Sequence, residues 1–431
     1  MLVVGVLAAS GYLLSILRDA LLATYYGGSS ALDVYFIALS PAQFIGMEGA
    51  SLVYLAFLPE FSRALRSADA GAYSHLFRAR LAFAVKAALA VAILLAAVGA
   101  MVPQVLAPGY AGHGALRAVK VSVAVLSGLI PGLAVVGVLR AALEAQARFS
   151  AWALLPGFRS ITLIACILLS VSHPALAWLL AGSLLGVGLA IGYAALARRA
   201  HGPVMRPAHA LVGKATPSLP SALAPLVAAV LLGALTGMVD NAFASKAGVG
   251  GVQVLALASN LLAAPQSIIG GVVATVFFPL YGSLWLDDDR PAAFASLWRS
   301  IRLVVLGLLP VVGLLVTAGI VVVRIVYRHG VFTENLAGLV SHTVAGLALG
   351  QVFYASSVLL RQFLLIAGAP WAVCEAAAVF LGVKLLGNMA LVHSFGVPGV
   401  AFASSLAALA TCGFLVVRVL RLASRSPGAA A

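Results

Sequence analysis

The sequence has almost no charge. Of 431 residues, 9% are Asp, Glu, Lys or Arg, and only 12 residues are acidic. A domain free in water needs far more polar surface than that, so a soluble globular enzyme is excluded. Cysteine is scarce as well. Cys166, Cys374 and Cys412 all lie in apolar stretches, with no zinc-ligand spacing and no framework for bridges, and they read as small core residues. Motifs of covalent chemistry are missing: no HExxH, no GxSxG, no P-loop, no Cys/His cluster. Asp287-Asp288-Asp289 looks like the metal motif of a sugar-nucleotide enzyme, but it stands in a short loop before Arg290-Pro291 with no domain around it. It reads as a solvated loop. Nor are there the short alternating segments of a membrane β-barrel. The expectation is a protein that is not an enzyme and binds no metal.

What is present is apolar length. The chain is 63% hydrophobic and its mean hydropathy is +1.11. A spanning helix needs about 20 mostly apolar residues. Runs of that length, rich in Ala, Leu and Val with Gly inside them, fill nearly the whole chain, which is membrane-helix composition. The pattern predicts about twelve spans. They lie near 3–26, 32–58, 80–102, 118–143, 150–172, 175–197, 217–245, 251–281, 300–326, 337–366, 370–393 and 397–420. The first carries Arg18 and Asp19 and no cleavage pattern, so it reads as a span rather than a removable signal.

The formal net charge is +14. In a soluble chain that would suggest nucleic acid; here loop position accounts for it, and no nucleic-acid partner is expected. Basic residues follow the even-numbered spans: Arg63, Arg66, Arg78 and Arg80; then Arg140 and Arg148; then Arg198, Arg199, Arg206 and Lys214; then Arg418, Arg421 and Arg425. Loops after odd spans are poorer, with exceptions at Arg117, Lys120, Arg324 and Arg328. Loop bias of this kind puts both termini in the cytoplasm, in a bacterial cytoplasmic membrane.

The basic, proline-containing stretch 198–216 divides the chain. The expected organisation is an N-terminal six-helix lobe (1–197), a cytoplasmic linker (198–216), a C-terminal six-helix lobe (217–421) and a short cytoplasmic tail (422–431). The lobes repeat at an offset of about 221 residues. Asp19 falls on Asp240, Gly27 on Gly248, Pro59 on Pro279, His75-Leu76-Phe77-Arg78 on Ser296-Leu297-Trp298-Arg299, Pro108-Gly109-Tyr110 on Gly330-Val331-Phe332, and Arg140 on Arg361. With an even number of spans per half, both halves have the same orientation and the pseudo-symmetry axis follows the membrane normal. Transporters of that plan place their site between the halves and rock them. The fold class expected is therefore all-α integral membrane, with two pseudo-symmetric six-helix lobes around a central cavity.

Charges inside spans are costly and mark function or pairing. They are Arg18, Asp19, Asp33, Glu48, Arg159, Asp240, Lys246, Glu375 and Lys384. Asp19, Asp33 and Lys246 sit near span ends, where an interfacial charge is the alternative reading. Glu48 lies mid-span in Gly46-Met47-Glu48-Gly49-Ala50-Ser51, where small residues permit close packing or unwinding. Arg18 is the anion candidate of the first half, since a guanidinium grips phosphate with paired donors. A structural bridge to Asp19 or Glu48 is its alternative. Glu375 and Lys384 are nine residues apart, about 2.5 turns, which sets them on opposite faces of their helix. Lys384 is then in reach of Asp240, as a fixed cation where a transporter of this plan would bind a coupling ion. Pro41, Gly46, Gly49 and Pro59 in span two match Pro265, Gly270, Gly271 and Pro279 in span eight, and predict bent or broken helices near a site.

Several ordered strings resemble the MviN/MurJ-type lipid II flippases. They are Arg18-Asp19-Ala20, Tyr26-Gly27, Asp33, Glu48-Gly49-Ala50, Phe57-Leu58-Pro59, Ala107-Pro108-Gly109-Tyr110, Arg148-Phe149-Ser150, Asp240-Asn241-Ala242-Phe243-Ala244-Ser245 and Gly330-Val331-Phe332-Thr333. The resemblance implies the fold of the multidrug/oligosaccharidyl-lipid/polysaccharide exporters and a polyprenyl-pyrophosphate-linked saccharide as cargo. It implies arginines of the first lobe on the pyrophosphate, and drive by the membrane potential or by a Na+ or H+ coupling ion, with no cofactor. Three positions where that family carries arginine hold Tyr12, Gln43-Phe44 and Ser259-Asn260 here, and twelve spans stand where fourteen are common. The cargo expected is thus lipid II or a related lipid-linked glycan. Substrate contact is expected from Arg18, Asp33, Glu48 and Asn260, and coupling or electrostatic tuning from Asp240, Lys384 and Glu375. The partners expected are the lipid-linked cargo, membrane lipid and membrane proteins of glycan synthesis. Two other readings stay open on the same residues: a cation-coupled exporter of small molecules, and a non-transporting scaffold of a glycan-assembly complex.

Overall fold

A computed structural model of the chain describes residues 2–66, 70–101, 108–110, 116–146, 148, 155–199, 219–272, 277–287 and 289–424. Most of the 198–216 stretch and of the 422–431 tail lies outside them. The described residues are helical almost throughout. The first half holds α1 (Leu2–Tyr26), α2 (Ser30–Arg66), α3 (Ala70–Met101), α4 (Leu116–Leu126), α5 (Leu129–Ala145), α6 (Leu155–Leu169) and α7 (Leu176–Arg199). The second holds α8 (Leu219–Lys246), α9 (Gly251–Val272), α10 (Phe278–Leu286), α11 (Arg290–Tyr327), α12 (Glu334–Ile366), α13 (Pro370–Phe395) and α14 (Val397–Ser424). Taking α4 with α5 and α9 with α10, the chain has the expected twelve crossings. Among the described residues, 9 helices are by themselves long and apolar enough to cross a membrane.

Local chemistry explains the breaks. The fourth crossing is interrupted at Ser127-Gly128, where the Ser127 hydroxyl donates to the Ala124 carbonyl. Pro131 follows in the first turn of α5; without an N–H it cannot extend the α4 ladder. In α11, Ala318 leaves helical geometry (φ −117°, ψ 15°) and kinks the helix two turns after Pro310. Thr333 caps α12, accepting from the Leu336 N–H at 3.4 Å, and Glu334 sits in that first turn, favourable to the helix dipole. Gly28 (φ 78°) and Gly248 (φ 116°) turn the chain after α1 and α8. The left-handed residue is thus Gly28 rather than the repeat-matched Gly27, a one-residue offset between the halves. Span two is no broken helix: α2 runs unbroken through Pro41 and Pro59. Each proline removes one ladder bond, and membrane helices tolerate that when neighbours compensate. Asp289 of the Asp287–Asp289 run caps α11, accepting from the Ala292 N–H at 3.1 Å; Asp288 lies outside the described residues.

The chain divides into two compact units, residues 1–219 with 329–332, and residues 220–328 with 333–431. In the first, the crossing made by α4 and α5 is the central one, 56% of it buried, while α3 is 22% buried. In the second, α12 is central at 61%, and α11 and α13 are outer at 17% each. The tenth crossing repeats the fourth and the ninth repeats the third, so burial follows the sequence repeat. Outward faces are apolar: Ile93 is 67% exposed, Ile325 70% and Leu386 68%. Water would not tolerate them; lipid does.

Each unit also keeps an aromatic cluster at the matching end of its crossings. Phe61 packs on Phe77 at 6.0 Å and on Tyr73 at 5.9 Å in the first. Phe363 packs on Tyr281 at 5.7 Å and on Phe294 at 5.2 Å in the second. Cations cover both, Arg198 at 3.9 Å from the Phe77 ring and Arg290 at 3.8 Å from that of Trp285. α2 and α3 extend well past the apolar spans expected from hydropathy, and there Arg80 pairs with Glu60 at 2.6 Å.

Glycine permits close helix approach in the first unit. A Cβ on Gly137 would lie 3.0 Å from the Ala50 Cα of α2 and closer still to its carbonyl. Backbone cannot yield as a side chain can, so Gly137→Leu is expected to cost about 1–3 kcal/mol and to lower the thermal unfolding midpoint of the purified protein. Gly188→Ala, with nothing within 4 Å, is expected to leave that midpoint unchanged or slightly raised.

Candidate functional site

In the first unit α1 sets Arg18 and Asp19 side by side. Arg18 Nη2 lies 2.7 Å from Asp19 Oδ1, and Arg18 Nε donates to the same oxygen at 2.8 Å, with the side chains 10% and 3% exposed. The Arg18–Asp19 bridge is therefore formed. A second cation stands beside it. Arg159 on α6 is partly buried, and its charge acts on Arg18, Asp19 and Tyr35. The Ser15 and Ser160 hydroxyls meet at 3.1 Å and hold α1 against α6 next to these arginines. Gly186 brings α7 onto α6 at this level: a Cβ there would lie 2.5 Å from the Arg159 Cα. Tyr35 is fixed from α7 through Ser183, 2.9 Å away. Two guanidiniums and one carboxylate thus share one apolar corner of α1, α2, α6 and α7.

The other first-half candidates are placed apart from this corner. Asp33 is fully buried in the first turn of α2 and accepts a hydrogen bond from Tyr110, in the 3-10 turn Pro108–Tyr110. It is a packed polar contact rather than an interfacial charge. Glu48 is half-buried further along the same helix, about 22 Å from Asp33 by helical rise, so the two cannot hold one small group together. Near the far end of α2 lies a cluster that the sequence did not announce. Tyr54 donates to Glu144 at 2.6 Å, Arg140 Nε donates to Glu144 at 2.9 Å, and the Arg140 guanidinium lies 4.1 Å from the Tyr54 ring centre. Arg140 is therefore inside α5 and not in a loop, as is its repeat mate Arg361 inside α12.

In the second unit Asp240 on α8 meets Lys384 on α13, Nζ to Oδ2 at 2.6 Å, with the side chains 17% and 6% exposed. Asn388, one turn on from Lys384, donates to Asp240 Oδ1 at 3.5 Å. Glu375 pairs with Arg418 on α14, two and a half turns from Lys384, so the carboxylate and the lysine of α13 do face different partners. Lys246 is exposed with its ammonium 5.4 Å from the Phe243 ring, as an interfacial lysine would be. Asn260 is half-buried on α9. Among the described residues, no group of three or more His, Cys, Asp or Glu could hold a metal ion.

This charge arrangement sits in a recognisable scaffold. The family model described as Lipid II flippase MurJ matches residues 22–428. The chain belongs to the lipid II flippase family. Solved structures agree on the fold. One, the inward closed conformation of the lipid II flippase MurJ, is 20% identical with a TM-score of 0.78 and covers 97% of this chain and 88% of that one. A multidrug resistance MATE family transporter in an inward-facing conformation is 14% identical at TM-score 0.71, covering 97% of this chain and 96% of that one. A superfamily transporter from Pyrococcus furiosus, also 14% identical, matches at TM-score 0.59 over 97% of this chain and 93% of that one. The membership makes the chain a multi-pass membrane transporter of flippase type. Arg159, which the sequence set among the in-span charges without giving it a part, is the residue that the structure adds to the Arg18–Asp19 bridge.

The Asp33–Tyr110 contact generates a prediction. Tyr110→Phe removes a donor from a buried carboxylate, at an expected cost of about 1–3 kcal/mol in unfolding free energy. In an Asp33→Asn background the same substitution is expected to cost less, and the difference read in a double-mutant cycle is the coupling.

Proposed function

We propose that the protein carries lipid II, or a closely related polyprenyl-pyrophosphate-linked saccharide, across the cytoplasmic membrane by alternating access, with Arg18 and Arg159 of the first unit receiving the pyrophosphate. The observation that carries this reading is that a second guanidinium, Arg159, stands beside the Arg18–Asp19 bridge in the corner of α1, α2, α6 and α7. Two neighbouring guanidiniums suit a multivalent anion, which each can grip with paired donors. In surroundings poor in water each charge-assisted hydrogen bond to it is stronger than in solvent. Asp19 keeps the Arg18 fork in one orientation, since both Nε and Nη2 donate to one oxygen, so little side-chain entropy is lost when cargo arrives. The isoprenoid tail stays in lipid, and no bond is made or broken. Glu48 and Asn260, both half-buried, are polar positions along the path of the saccharide. Asp33 acts at one remove, by fixing Tyr110. Basic loops after even-numbered spans support cytoplasmic termini, and membrane proteins of glycan synthesis are the partners that would deliver and receive the cargo.

The test is flipping of a fluorescent polyprenyl-pyrophosphate saccharide in proteoliposomes. Wild type is expected to flip it. Arg159→Gln, and Arg18→Gln made together with Asp19→Asn so that no carboxylate is stranded, are each expected to slow flipping by roughly 10-fold or more, the worth of one charge-assisted contact, without loss of folded protein. Full activity in a folded Arg159→Gln variant would remove that residue from the site, and no flipping by wild type would overturn the cargo.

A further inference from the structure

The Asp240–Lys384 pair has a consequence that does not depend on the cargo. Asp240 stands on α8 inside the second unit, its carboxylate 17% exposed. A bare carboxylate in such surroundings is costly and requires a cation or a proton. Here the cation is covalently attached: Lys384 reaches in from α13 and sets its ammonium 2.6 Å from Oδ2. The Lys384 side chain is 6% exposed, and its Nζ lies 5.3 Å from the Phe380 ring, which contributes a second attraction. Asn388 is fully buried; its amide nitrogen is turned to Asp240 Oδ1, while its own Oδ1 has no hydrogen-bond partner. Buried acceptors are nearly always satisfied, so an orphan beside a charged pair is an observation to explain.

Without the ammonium, the place holds two carboxylate oxygens with the Asn388 amide beside them, one helical turn from residue 384, and rotation of that amide would exchange its nitrogen for the unsatisfied oxygen. Oxygen donors of that kind suit a hard cation, and a single carboxylate favours one positive charge over two. We propose that this is a subsite for a small monovalent cation, Na+ in the first instance, which Lys384 fills from within. The native protein then binds no dissociable cation at Asp240, and the second unit keeps its charge balance whether or not sodium is present. Lys384 is a positioning residue that replaces an ion.

Thermal unfolding of the purified full chain tests this without any cargo, so its outcome is separate from that of the flipping assay. NaCl is titrated against N-methylglucamine chloride at constant ionic strength and pH. Wild type is expected to show no saturable sodium response. Lys384→Met and Lys384→Asn are expected to be less stable without sodium and to gain a saturable rise of about 2–4 °C with it, and the gain should vanish in Lys384→Met/Asp240→Asn. A saturable sodium response in wild type that Asp240→Asn removes would overturn the proposal, and this arm needs no Lys384 variant to fold. So would a folded Lys384→Met protein that responds to added acid but not to sodium, since a proton would then be the substitute.

Discussion

A charge held away from water must have a counter-charge, and that constraint organises both units. The chain is poor in charge, yet most of the in-span carboxylates whose partners are described lie against a cation or a donor. Asp19 has Arg18, Asp240 has Lys384, Glu375 has Arg418, Glu144 has Arg140 with Tyr54, and Asp33 has Tyr110. Desolvating one partner of such a pair alone is far more costly than the pair is stabilising. These pairs therefore dictate which helix faces may pack together. At the first of these pairs a second cation, Arg159, stands near the Arg18–Asp19 bridge.

The two units solve the same problem differently. Asp19 and Asp240 occupy matching places in the repeat. The first takes its cation from the preceding residue of its own helix, and the second takes it from a helix far away in sequence. A neighbour in sequence cannot leave, and its guanidinium presents a planar fork of five donors rather than a point charge. A lysine spends its compact charge on one carboxylate. The first solution is a contact within one helix, and the second ties two helices together.

The glycines and prolines belong to the same account. Gly137 and Gly186 let backbones approach where no apolar driving force acts between helices in lipid, and packing has to supply the attraction. Proline interrupts a helix only where the neighbouring sequence helps it. Ser127-Gly128 before Pro131 breaks the fourth crossing, while Pro41 and Pro59 leave α2 whole. Of the bend or break expected from proline in span two, α2 shows no break, because the residues around a proline decide whether the lost bond is recovered.

The sequence alone determined the membrane class, the crossings, the repeat and the family resemblance, because hydropathy and ordered motifs are local properties of a chain. It also found the charges, since each stands out in an apolar run, and for α13 helical spacing was enough to send Glu375 and Lys384 to different faces. Tertiary structure decided which charges meet. Asn388 and Asp240 are 148 residues apart, and Arg159 reaches the Arg18 corner because α6 packs along α1, where Ser15 meets Ser160. The Tyr54–Arg140–Glu144 cluster needed helix lengths that hydropathy understated, since α2 runs on past its apolar stretch to Arg66. Pairing depends on how helices rotate and slide against one another, and no local pattern in the chain records that.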